Sequence, residues 1–358
     1  MQQILLENTI PNEQIEVVTP APRETWWQLF HDDRHALTTQ SPAWTDAICH
    51  HGGYRDTSRL YRFAGGRQAV LPLVRRKMPS VLAAAGSMPV HWGYGGLISP
   101  DPVGADDVRL VWQDLAAQGW QHVHVRPNPL LAQVWENGRI SPVQSRPKCA
   151  HVLHLDGGFD TVWRERFSGT TRRNVRKAEK SGLTIECDAT GRLVPVFYEL
   201  FQRSVKRWAR QQHEPAWLAL WRSQRRDPPA KFQEMLTALG EMGKLWVAWH
   251  EGEAVAAILV LQGHNAHYTR GVMNREIANQ TRANDLLHSL AIEAACQDGC
   301  RAYHMGETGE SASLAQFKEK FGARPYTYAE YYLERLPVTA VDQKLRQLVK
   351  TMIGFKDT

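Results

Sequence analysis

Cysteine is scarce in this 358-residue chain, and long apolar runs are missing. The five cysteines are scattered, and Cys296 and Cys300 lack the paired spacing of a zinc site, so we expect unpaired thiols in a reducing compartment. No stretch approaches the roughly 20 apolar residues that span a bilayer. The segment Met1–Glu7 has neither the basic start nor the apolar core of a secretory signal. Neither a P-loop nor a nucleophile elbow is present. The sequence therefore predicts a cytoplasmic protein without a metal site.

Positive charge is modest in total but uneven along the chain. Lysine and arginine number 43 and acidic residues 37, which gives a formal net charge of +6. Two short segments carry much of the positive charge. The first holds Arg164, Arg166, Arg172, Arg173, Arg176, Lys177 and Lys180, and the second holds Lys206, Arg207, Arg210, Arg222, Arg225 and Arg226. A basic face of this kind favours an anionic partner such as phosphate, RNA or an acidic membrane surface, and a solvated helix face is the alternative.

The order of predicted elements repeats once along the chain. A length of 358 residues exceeds the usual limit of a single core, so two domains are expected. The first half has predicted helices over 24–30, 42–51 and 105–118, hairpin strands over 59–63 and 68–74, and a strand over 123–125. The second half has hairpin strands over 244–250 and 254–261, a helix over 283–297 and a strand over 302–305. We therefore predict two α/β units, residues 1–150 and 151–336, with a boundary near Ala150.

A helical stretch over residues 159–240 is predicted between the cores of the two units. The proline pair at 228–229 interrupts it, because proline breaks a helix interior but suits a first turn. Its tryptophans, Trp208, Trp217 and Trp221, are expected to pack in a core or between domains. Stacking on a ligand is the alternative.

Four segments of the second half carry a family pattern. They are Arg172–Leu183, Tyr268–Asn274 with Ala283–His288, Tyr303–Gly306, and Phe317-Lys318 with Phe321-Gly322. Together these segments resemble the Fem-type peptidoglycan-bridge aminoacyltransferases of the GNAT acyltransferase superfamily. The resemblance covers about residues 151–336, and the first half matches in outline alone.

The resemblance implies an α/β fold of two tandem GNAT-like domains, each a mixed sheet flanked by helices. It also implies an N-acyltransferase that moves an aminoacyl or acyl group from a tRNA or CoA carrier to an amine, with no tightly bound cofactor. In Fem-type members the donor is an aminoacyl-tRNA and the acceptor is a peptidoglycan precursor. The implied partners are therefore tRNA and a lipid-linked or nucleotide-linked cell-wall precursor. The chain departs from the family pattern in having no heptad run for a coiled-coil arm and in having His304 where several relatives have an acid.

Residues around Gly306 are the candidates for proton transfer. His304 and Glu307 flank this glycine at the end of a predicted strand, and either side chain could take the proton of an amine, directly or through water. A buried core histidine and a glutamate on a polar loop are the alternatives. Tyr268 and Arg270 alternate along one strand, so both could point at a cleft, Tyr268 as a catalytic residue and Arg270 as a substrate ligand. Plain sheet packing is the alternative for Tyr268.

Candidate substrate-binding residues lie on three further segments. Lys318 could hold a carboxylate or phosphate of the substrate, or remain solvated. Arg172, Arg173 and Arg176 lie on a predicted helix, where their guanidinium groups could clamp a pyrophosphate or an RNA backbone. Asn284 is expected to cap the following helix or to bind substrate.

The identity of the donor depends on the stretch Arg275–Asn284. Acetyl-CoA enzymes of the superfamily cradle pyrophosphate on a glycine-rich turn at a helix N-terminus, and this stretch contains no glycine. Arg275 and Arg282 could still hold a phosphate through charge-assisted hydrogen bonds. The missing glycine and the basic helix favour an aminoacyl-tRNA donor over an acyl-CoA. A non-catalytic RNA- or anion-binding protein on the same scaffold is the alternative function.

The C-terminal residues 337–358 are predicted to form an amphipathic helix. The apolar positions at helical spacing are Val341, Leu345, Leu348 and Met352. Basic residues lie between them, so the helix could make peripheral membrane contact through residues 341–355. Packing of the apolar stripe on its own domain is the alternative.

Overall fold

The structure is a computed structural model that describes residues 15–78, 84–309 and 311–335. The predicted helix over 337–358, with its membrane contact through 341–355, and the segment Met1–Glu7 lie outside the described residues. Within the described ranges, no helix is both long enough and apolar enough to cross a membrane.

An eleven-stranded mixed sheet runs through both halves of the chain. Its strands, in spatial order, are β2 (Tyr54–Asp56), β5 (Val74–Arg76), β6 (Ala84–Ser87), β7 (His122–Val125), β14 (Arg324–Glu334), β8 (Gln144–His154), β13 (Ala302–Glu307), β12 (Ala266–Met273), β11 (Glu253–Gln262), β10 (Gly243–His250) and β9 (Leu183–Asp188). A separate three-stranded sheet has the order β1 (Glu16–Val18), β3 (Arg59–Arg62) and β4 (Gln68–Leu71). In the large sheet, two neighbouring pairs are parallel, β6 with β7 and β12 with β13.

Helices cover the faces of the large sheet. They are α1 (Arg23–Asp32), α2 (Pro42–His51), α3 (Ala105–Ala117), α4 (Ala132–Asn137), α5 (Gly158–Thr161), α6 (Gly169–Glu179), α7 (Val194–Gln211), α8 (Ala216–Arg226), α9 (Pro229–Leu239), α10 (Arg275–Thr281), α11 (Ala283–Gln297) and α12 (Ala312–Glu319). Strand β11 shows why two layers of helices are needed. Ile258 and Val260 pack in the core beneath α11, whereas Ala257 and Leu259 pack beneath α7. Because successive side chains point to opposite faces, an apolar run such as this one must be covered on both sides.

The last strand of the chain joins the two halves. Strand β14 pairs with β8 over most of its length and with β7 of the first half at its end, where Tyr331 lies opposite Val125. Tyr331 and Leu333 are buried in the core of the first half together with Trp112. Strand β8 runs without a break through the predicted boundary near Ala150. The first unit therefore contains a strand that the chain supplies about 200 residues after β7, its neighbour in the sheet.

The buried apolar residues form several cores, of which one joins Trp44 and Ile48 of the first half to Met235 and Leu261 of the second. One core lies around α3 and includes Val108, Val111 and Trp112, and another lies around α11 and includes Leu287 and Ile292. This arrangement of helices on a mixed sheet agrees with the predicted α/β class and with the GNAT-like architecture that the family resemblance implies.

Two elements differ from the sequence-based expectation. The stretch 159–240, predicted as helical, contains the edge strand β9, whose half-buried Leu183 and Ile185 pack on the core. Edge strands carry a weak apolar signal, so the six residues of β9 do not stand out in the sequence between the basic and polar helices on either side. Trp217 and Trp221, predicted to be packed, are 71% and 53% exposed, whereas Trp208, which lies on α7, is half-buried against the core beneath that helix.

Candidate functional site

The candidate site begins where two parallel strands separate. Strands β12 and β13 pair at only two positions, Ala266 with Tyr303 and His267 with His304. Beyond them each strand has an irregular register with its other neighbour, between Leu259 and Val260 on the β11 side and between His304 and Gly306 on the β8 side. Bulges of this kind bend a strand away from its partner and leave backbone groups unpaired. A cavity of about 310 Å³ lies at the opening.

Both halves of the chain and the helical segment between them build the cavity wall. The first half supplies Trp44, His91, Trp92, Gly93, Tyr94 and Arg126; the helical segment supplies Asp227, Lys231, Phe232 and Met235; the second half supplies Leu259, His267, Tyr268, Thr269, Arg270, Met305, Gly306, Glu307, Leu314 and Lys318. Four of these side chains are Lys or Arg and two are Asp or Glu, so the wall carries an excess of positive charge. A cavity of this composition attracts anionic ligands.

Arg126 links the first half to the catalytic candidates of the second. Its guanidinium contacts the carboxylate of Glu307, lies 3.3 Å from a carboxylate oxygen of Glu330 and donates to the hydroxyl of Tyr328. It also lies over the ring of Tyr94, 5.0 Å from the centroid. Because Lys148 is a second cation beside Glu307, at 3.0 Å, that carboxylate is fixed from two sides at the cavity wall.

Lys318 is a buried clamp on the loop that follows β13. Its ammonium group donates to the carbonyl oxygens of Gly306 and Glu307, both at 2.8 Å, and to the Thr308 hydroxyl at 3.1 Å. Burial lowers the pKa of Lys318 to about 8, so the side chain is still largely protonated at neutral pH. The prediction that Lys318 directly holds a substrate carboxylate or phosphate needs correction, because all three ammonium hydrogens already have protein acceptors.

Three cations surround the fully buried carboxylate of Asp227. Lys231 donates to Asp227 Oδ1 at 2.7 Å, while Arg226 and Arg270 lie 2.7 and 3.3 Å from Oδ2. Burial alone would raise the pKa of Asp227, but Arg270, Lys231 and Arg226 outweigh that effect and lower the pKa to about 2. The guanidinium of Arg270 makes no other hydrogen bond within the described part of the chain, which leaves donor capacity for a ligand in the cavity.

Because the pKa of Asp227 is depressed, we expect the folded protein to lose stability at acid pH. A carboxyl group whose folded-state pKa is depressed contributes stability above its unfolded pKa, and loses that contribution as the pH falls through the folded value. For Asp227 the window runs from about pH 4 down to about pH 2, and the shift corresponds to about 2 kcal/mol. Urea unfolding of the wild type should show stability falling between about pH 4 and pH 2. The Asp227→Asn variant should be less stable than the wild type at pH 7 and should not show this fall. Parallel pH curves for the two proteins would contradict the assignment.

Tyr268 lies on the β12 wall of the cavity. Its ring meets the His288 ring edge to face at 4.6 Å, which fixes the ring plane. Burial raises the pKa of the Tyr268 hydroxyl to about 12, so this group remains protonated at neutral pH and can donate a proton or a hydrogen bond.

His304 does not share this position. It is fully buried, it is absent from the cavity wall, and neither ring nitrogen has a hydrogen-bond partner among the described residues. Burial lowers the pKa of His304 to about 3, so its ring is neutral at ordinary pH. Its ring centre lies 6.3 Å from those of Tyr94 and His267, which are themselves part of the cavity wall, so His304 is buried behind that wall and not exposed on it. The structure therefore contradicts direct proton transfer by His304.

The arginines predicted to bind substrate lie elsewhere, on α6. Arg172 donates to the carbonyl oxygens of Trp163, Arg164 and Phe167, at 2.7–3.0 Å, and so holds the turn before its own helix. Arg176 lies 5.8 Å from the centre of the Trp163 ring, and Arg173 is exposed. None of Arg172, Arg173 and Arg176 lines the cavity. The guanidinium of Arg172 is thus engaged with the protein, whereas Arg173 and Arg176 are exposed on the surface of α6.

The glycine-free stretch before α11 forms a short helix and a tight turn. Helix α10 ends at Thr281, and Arg282 takes a left-handed conformation with φ of 61° at the N-terminus of α11. Asn284 lies inside the first turn of α11, so its predicted role as the helix cap is wrong. Asp285 occupies the same turn and accepts a hydrogen bond from Asn174 at 3.3 Å. A carboxylate here disfavours a phosphate at this helix N-terminus.

Several residues of the site carry no signal in the sequence. Arg126, Asp227 and Lys231 come from segments far apart in sequence, and no spacing rule connects them with Glu307. His91 lies in the cavity wall with a left-handed φ of 71°, a conformation that is rare outside glycine and concentrates at functional sites. Burial, followed by the nearby Arg226, lowers the pKa of His91 to about 4. Within the described residues, no group of three or more His, Cys, Asp or Glu side chains is arranged to hold a metal ion.

Comparison with known proteins agrees with this geometry. Residues 165–319 match the family model of the acetyltransferase (GNAT) domain. The solved structure of FemX superposes with a TM-score of 0.66 at 13% identity, over 94% of this chain and 100% of that one. A conserved protein of unknown function from Bacteroides thetaiotaomicron superposes at 0.52, with 7% identity, over 88% and 99% of the two chains.

A third solved structure shares the arrangement. The C-terminal domain of a protein assigned as a lysylphosphatidylglycerol synthetase from Agrobacterium fabrum superposes with a TM-score of 0.50 at 12% identity, over 93% of this chain and 96% of that domain. No curated protein sequence matches the chain. At these identities the structural matches establish a shared fold. The predicted resemblance to GNAT proteins, and to the fold of a Fem-type transferase, is confirmed.

Proposed function

We propose that this chain, which carries a GNAT acetyltransferase domain at residues 165–319, transfers an aminoacyl or acyl group from a carrier to an amine. The observation that carries the proposal is the separation of β12 and β13 beside a positively charged cavity. Parallel strands that part in this way present unpaired backbone N–H groups, which can polarise an acyl carbonyl. The reaction then needs few side chains.

The chemical step is a simple exchange at the carbonyl carbon. The neutral amine attacks this carbon, a C–N bond forms, and the C–O bond of a tRNA ester or the C–S bond of a thioester breaks. The amine gives up one proton, and the departing oxygen or sulfur takes one, so the step is balanced without any other reactant. Two proton-handling groups in the cavity are therefore sufficient.

Glu307 and Tyr268 are our candidates for these two groups. Glu307 is a carboxylate at the end of β13 that faces the cavity, and it would accept the amine proton directly or through a water molecule. Tyr268 faces it from β12 with a protonated hydroxyl, and it would donate to the leaving group. Arg270 and Lys231, which flank Asp227, would hold an anionic part of the donor or acceptor.

An aminoacyl-tRNA is our preferred donor, and a cell-wall precursor our preferred acceptor. Helix α10 and Asp285 stand where a glycine-rich pyrophosphate turn would be needed for CoA. The excess of positive charge around the cavity suits either an RNA end or a phosphorylated precursor. The fold shared with FemX supports the same choice by analogy alone.

A donor panel tests the proposal. The purified chain is incubated with a charged tRNA pool or with a set of acyl-CoAs, each together with amine-bearing cell-wall precursors, and new amides are detected by mass. We expect a product from the charged tRNA pool. A product formed from acyl-CoAs alone would support the acyltransferase activity and would show that tRNA is not the donor. Salt-sensitive tRNA binding without any product would support the non-catalytic RNA-binding alternative.

Removing the Tyr268 hydroxyl tests the role of this side chain. Tyr268→Phe keeps the ring against His288 but removes the proton donor, so kcat should fall by about 100-fold with little change in KM. Tyr326→Phe is the matched control, because Tyr326 lies on β14 with its hydroxyl bonded to His154 and does not line the cavity. Equal kcat values for the two variants would show that the Tyr268 hydroxyl takes no part in the chemical step.

A further inference from the structure

Helix α8 exposes two tryptophans on one face. Trp217 is 71% exposed and Trp221 is 53% exposed, although large aromatic side chains are normally among the more buried residues. Ala219 and Ser223 of the same helix are buried against the protein. At about 100° per residue, positions 217 and 221 lie roughly opposite 219 and 223, so both indoles point away from the molecule. Because α8 packs through Ala219 and Ser223, both indoles remain exposed.

Helices α7 and α8 expose several basic side chains. The exposed cations of α7 and α8 are Arg203, Lys206, Arg210, Arg222, Arg225 and Arg226. Among the acidic residues of the segment 194–230, Glu199 on α7 is exposed, whereas Glu214 and Asp227 are buried. Their partners on this surface are Arg222 and Arg226, so the other four cations have no ion pair among the described residues. A surface that combines strong positive charge with exposed indoles favours a partner that is both anionic and apolar.

We propose that this α7–α8 surface, formed by Trp217, Trp221, Arg203, Lys206, Arg210 and Arg225, docks on an anionic lipid bilayer. Indole rings favour the region between the head groups and the acyl chains, and basic side chains are attracted to anionic head groups. Two rings one helical turn apart enter a flat, deformable surface together. Arg225 lies 4.9 Å from the centre of the Trp221 ring, which keeps a cation beside the inserted aromatic group.

RNA is a poorer partner for the same surface. Indoles bind RNA by stacking on unpaired bases, which requires an aromatic platform beside a groove that follows the backbone. Here the rings protrude from the convex side of a helix. The docking surface also lies next to the cavity, because Arg226 at the end of α8 contacts Asp227 in the cavity wall. Docking would bring the cavity close to the membrane surface. The docking proposal does not depend on the proposed acyl transfer.

Vesicle sedimentation with the full chain tests this proposal. The vesicles contain either phosphatidylcholine alone or phosphatidylcholine with 30% phosphatidylglycerol. We expect binding to the anionic vesicles that weakens with salt, and weak binding to the neutral ones. Trp217→Ser with Trp221→Ser should reduce the affinity for anionic vesicles about tenfold, and Arg203→Gln with Lys206→Gln and Arg210→Gln should do the same. All five positions are exposed, so folding should be retained, and circular dichroism checks it.

Matched controls remove cations and an apolar side chain from other surfaces. Arg173→Gln with Lys177→Gln and Lys180→Gln takes the same charge from α6 and its end, and Leu314→Ser removes an exposed apolar side chain at the cavity. Both controls should change vesicle affinity less than twofold. Vesicle affinity that is the same in the α7–α8 variants and the wild type would overturn the proposal. Absence of vesicle binding by the wild type, with tRNA binding that the tryptophan variant loses, would overturn it in favour of RNA.

Discussion

Lys318→Met is expected to lower the free energy of unfolding by about 3–5 kcal/mol and to reduce acyl transfer at least 100-fold. The variant keeps a long apolar stem but leaves the carbonyl oxygens of Gly306 and Glu307 and the Thr308 hydroxyl without their buried donor. These groups form the loop that carries the Glu307 side chain, so the loss of the clamp should also displace the candidate base. Urea unfolding measures the first effect and product formation the second.

Lys320→Met is the matched control for Lys318. Lys320 is two residues further along the chain and its side chain is exposed, so the same substitution should change stability by less than about 0.5 kcal/mol and leave transfer intact. Full stability of Lys318→Met would show that the loop does not need the buried ammonium. A stable but inactive variant would instead place Lys318 in contact with substrate.

Arg126→Gln is expected to cost about 3 kcal/mol in unfolding free energy and to impair transfer, because Glu307 and Glu330 would remain partly buried beside the cavity without their shared cation. This arginine lies directly after β7 of the first half, whereas both carboxylates belong to the second half. Adding Glu307→Gln to Arg126→Gln should recover part of the lost stability, because the second change removes a carboxylate that would keep Lys148 as its one remaining ion-pair partner among the described residues. Urea unfolding of the wild type, both single variants and the double variant gives the coupling energy.

Arg139→Gln is the control for this cycle. Its partner Glu136 lies on the surface, and the two side chains are 38% and 45% exposed, so breaking this pair should cost no more than about 1 kcal/mol. Strictly additive effects of Arg126→Gln and Glu307→Gln would mean that the two halves do not share the charge network.

The sequence predicted the long, periodic elements well and the cross-chain contacts poorly. The helix over 283–297 and the strands around 244–250 and 302–305 appear within one or two residues of the expected positions. Their apolar residues repeat at helical or strand periods, which is a local signal. The edge strand β9 and the path of β14 into the first half depend on partners that are distant in sequence, and no local pattern encodes them.

The candidate site shows the same division. Tyr268, Arg270 and Glu307 were identified from their positions on predicted strands, and the structure places all three at the cavity. The burial of His304 depends on Tyr94 of the first half and on His267 of the neighbouring strand, and no local sequence pattern encodes those contacts.

Charged side chains were harder to interpret than strand positions. Lys318 and Arg172 appeared to be free cations, but both donate to backbone carbonyl groups that only the folded chain brings near them. Conversely, Arg126 and Asp227 carried no motif, and their importance follows from neighbours supplied by other segments. Sequence composition could therefore predict that the protein is basic, but not which of its cations reach the cavity.

Filling the space between β12 and β13 tests the central claim most directly. Thr269 lines the cavity, and Thr269→Trp would add a bulky ring to a space of about 310 Å³. Thr184→Trp, on the exposed face of the edge strand β9, is the matched control. With a labelled donor, amide formation measured by mass should be lost in Thr269→Trp and retained in Thr184→Trp, while both proteins stay folded. Undiminished amide formation by a folded Thr269→Trp variant would show that transfer takes place elsewhere.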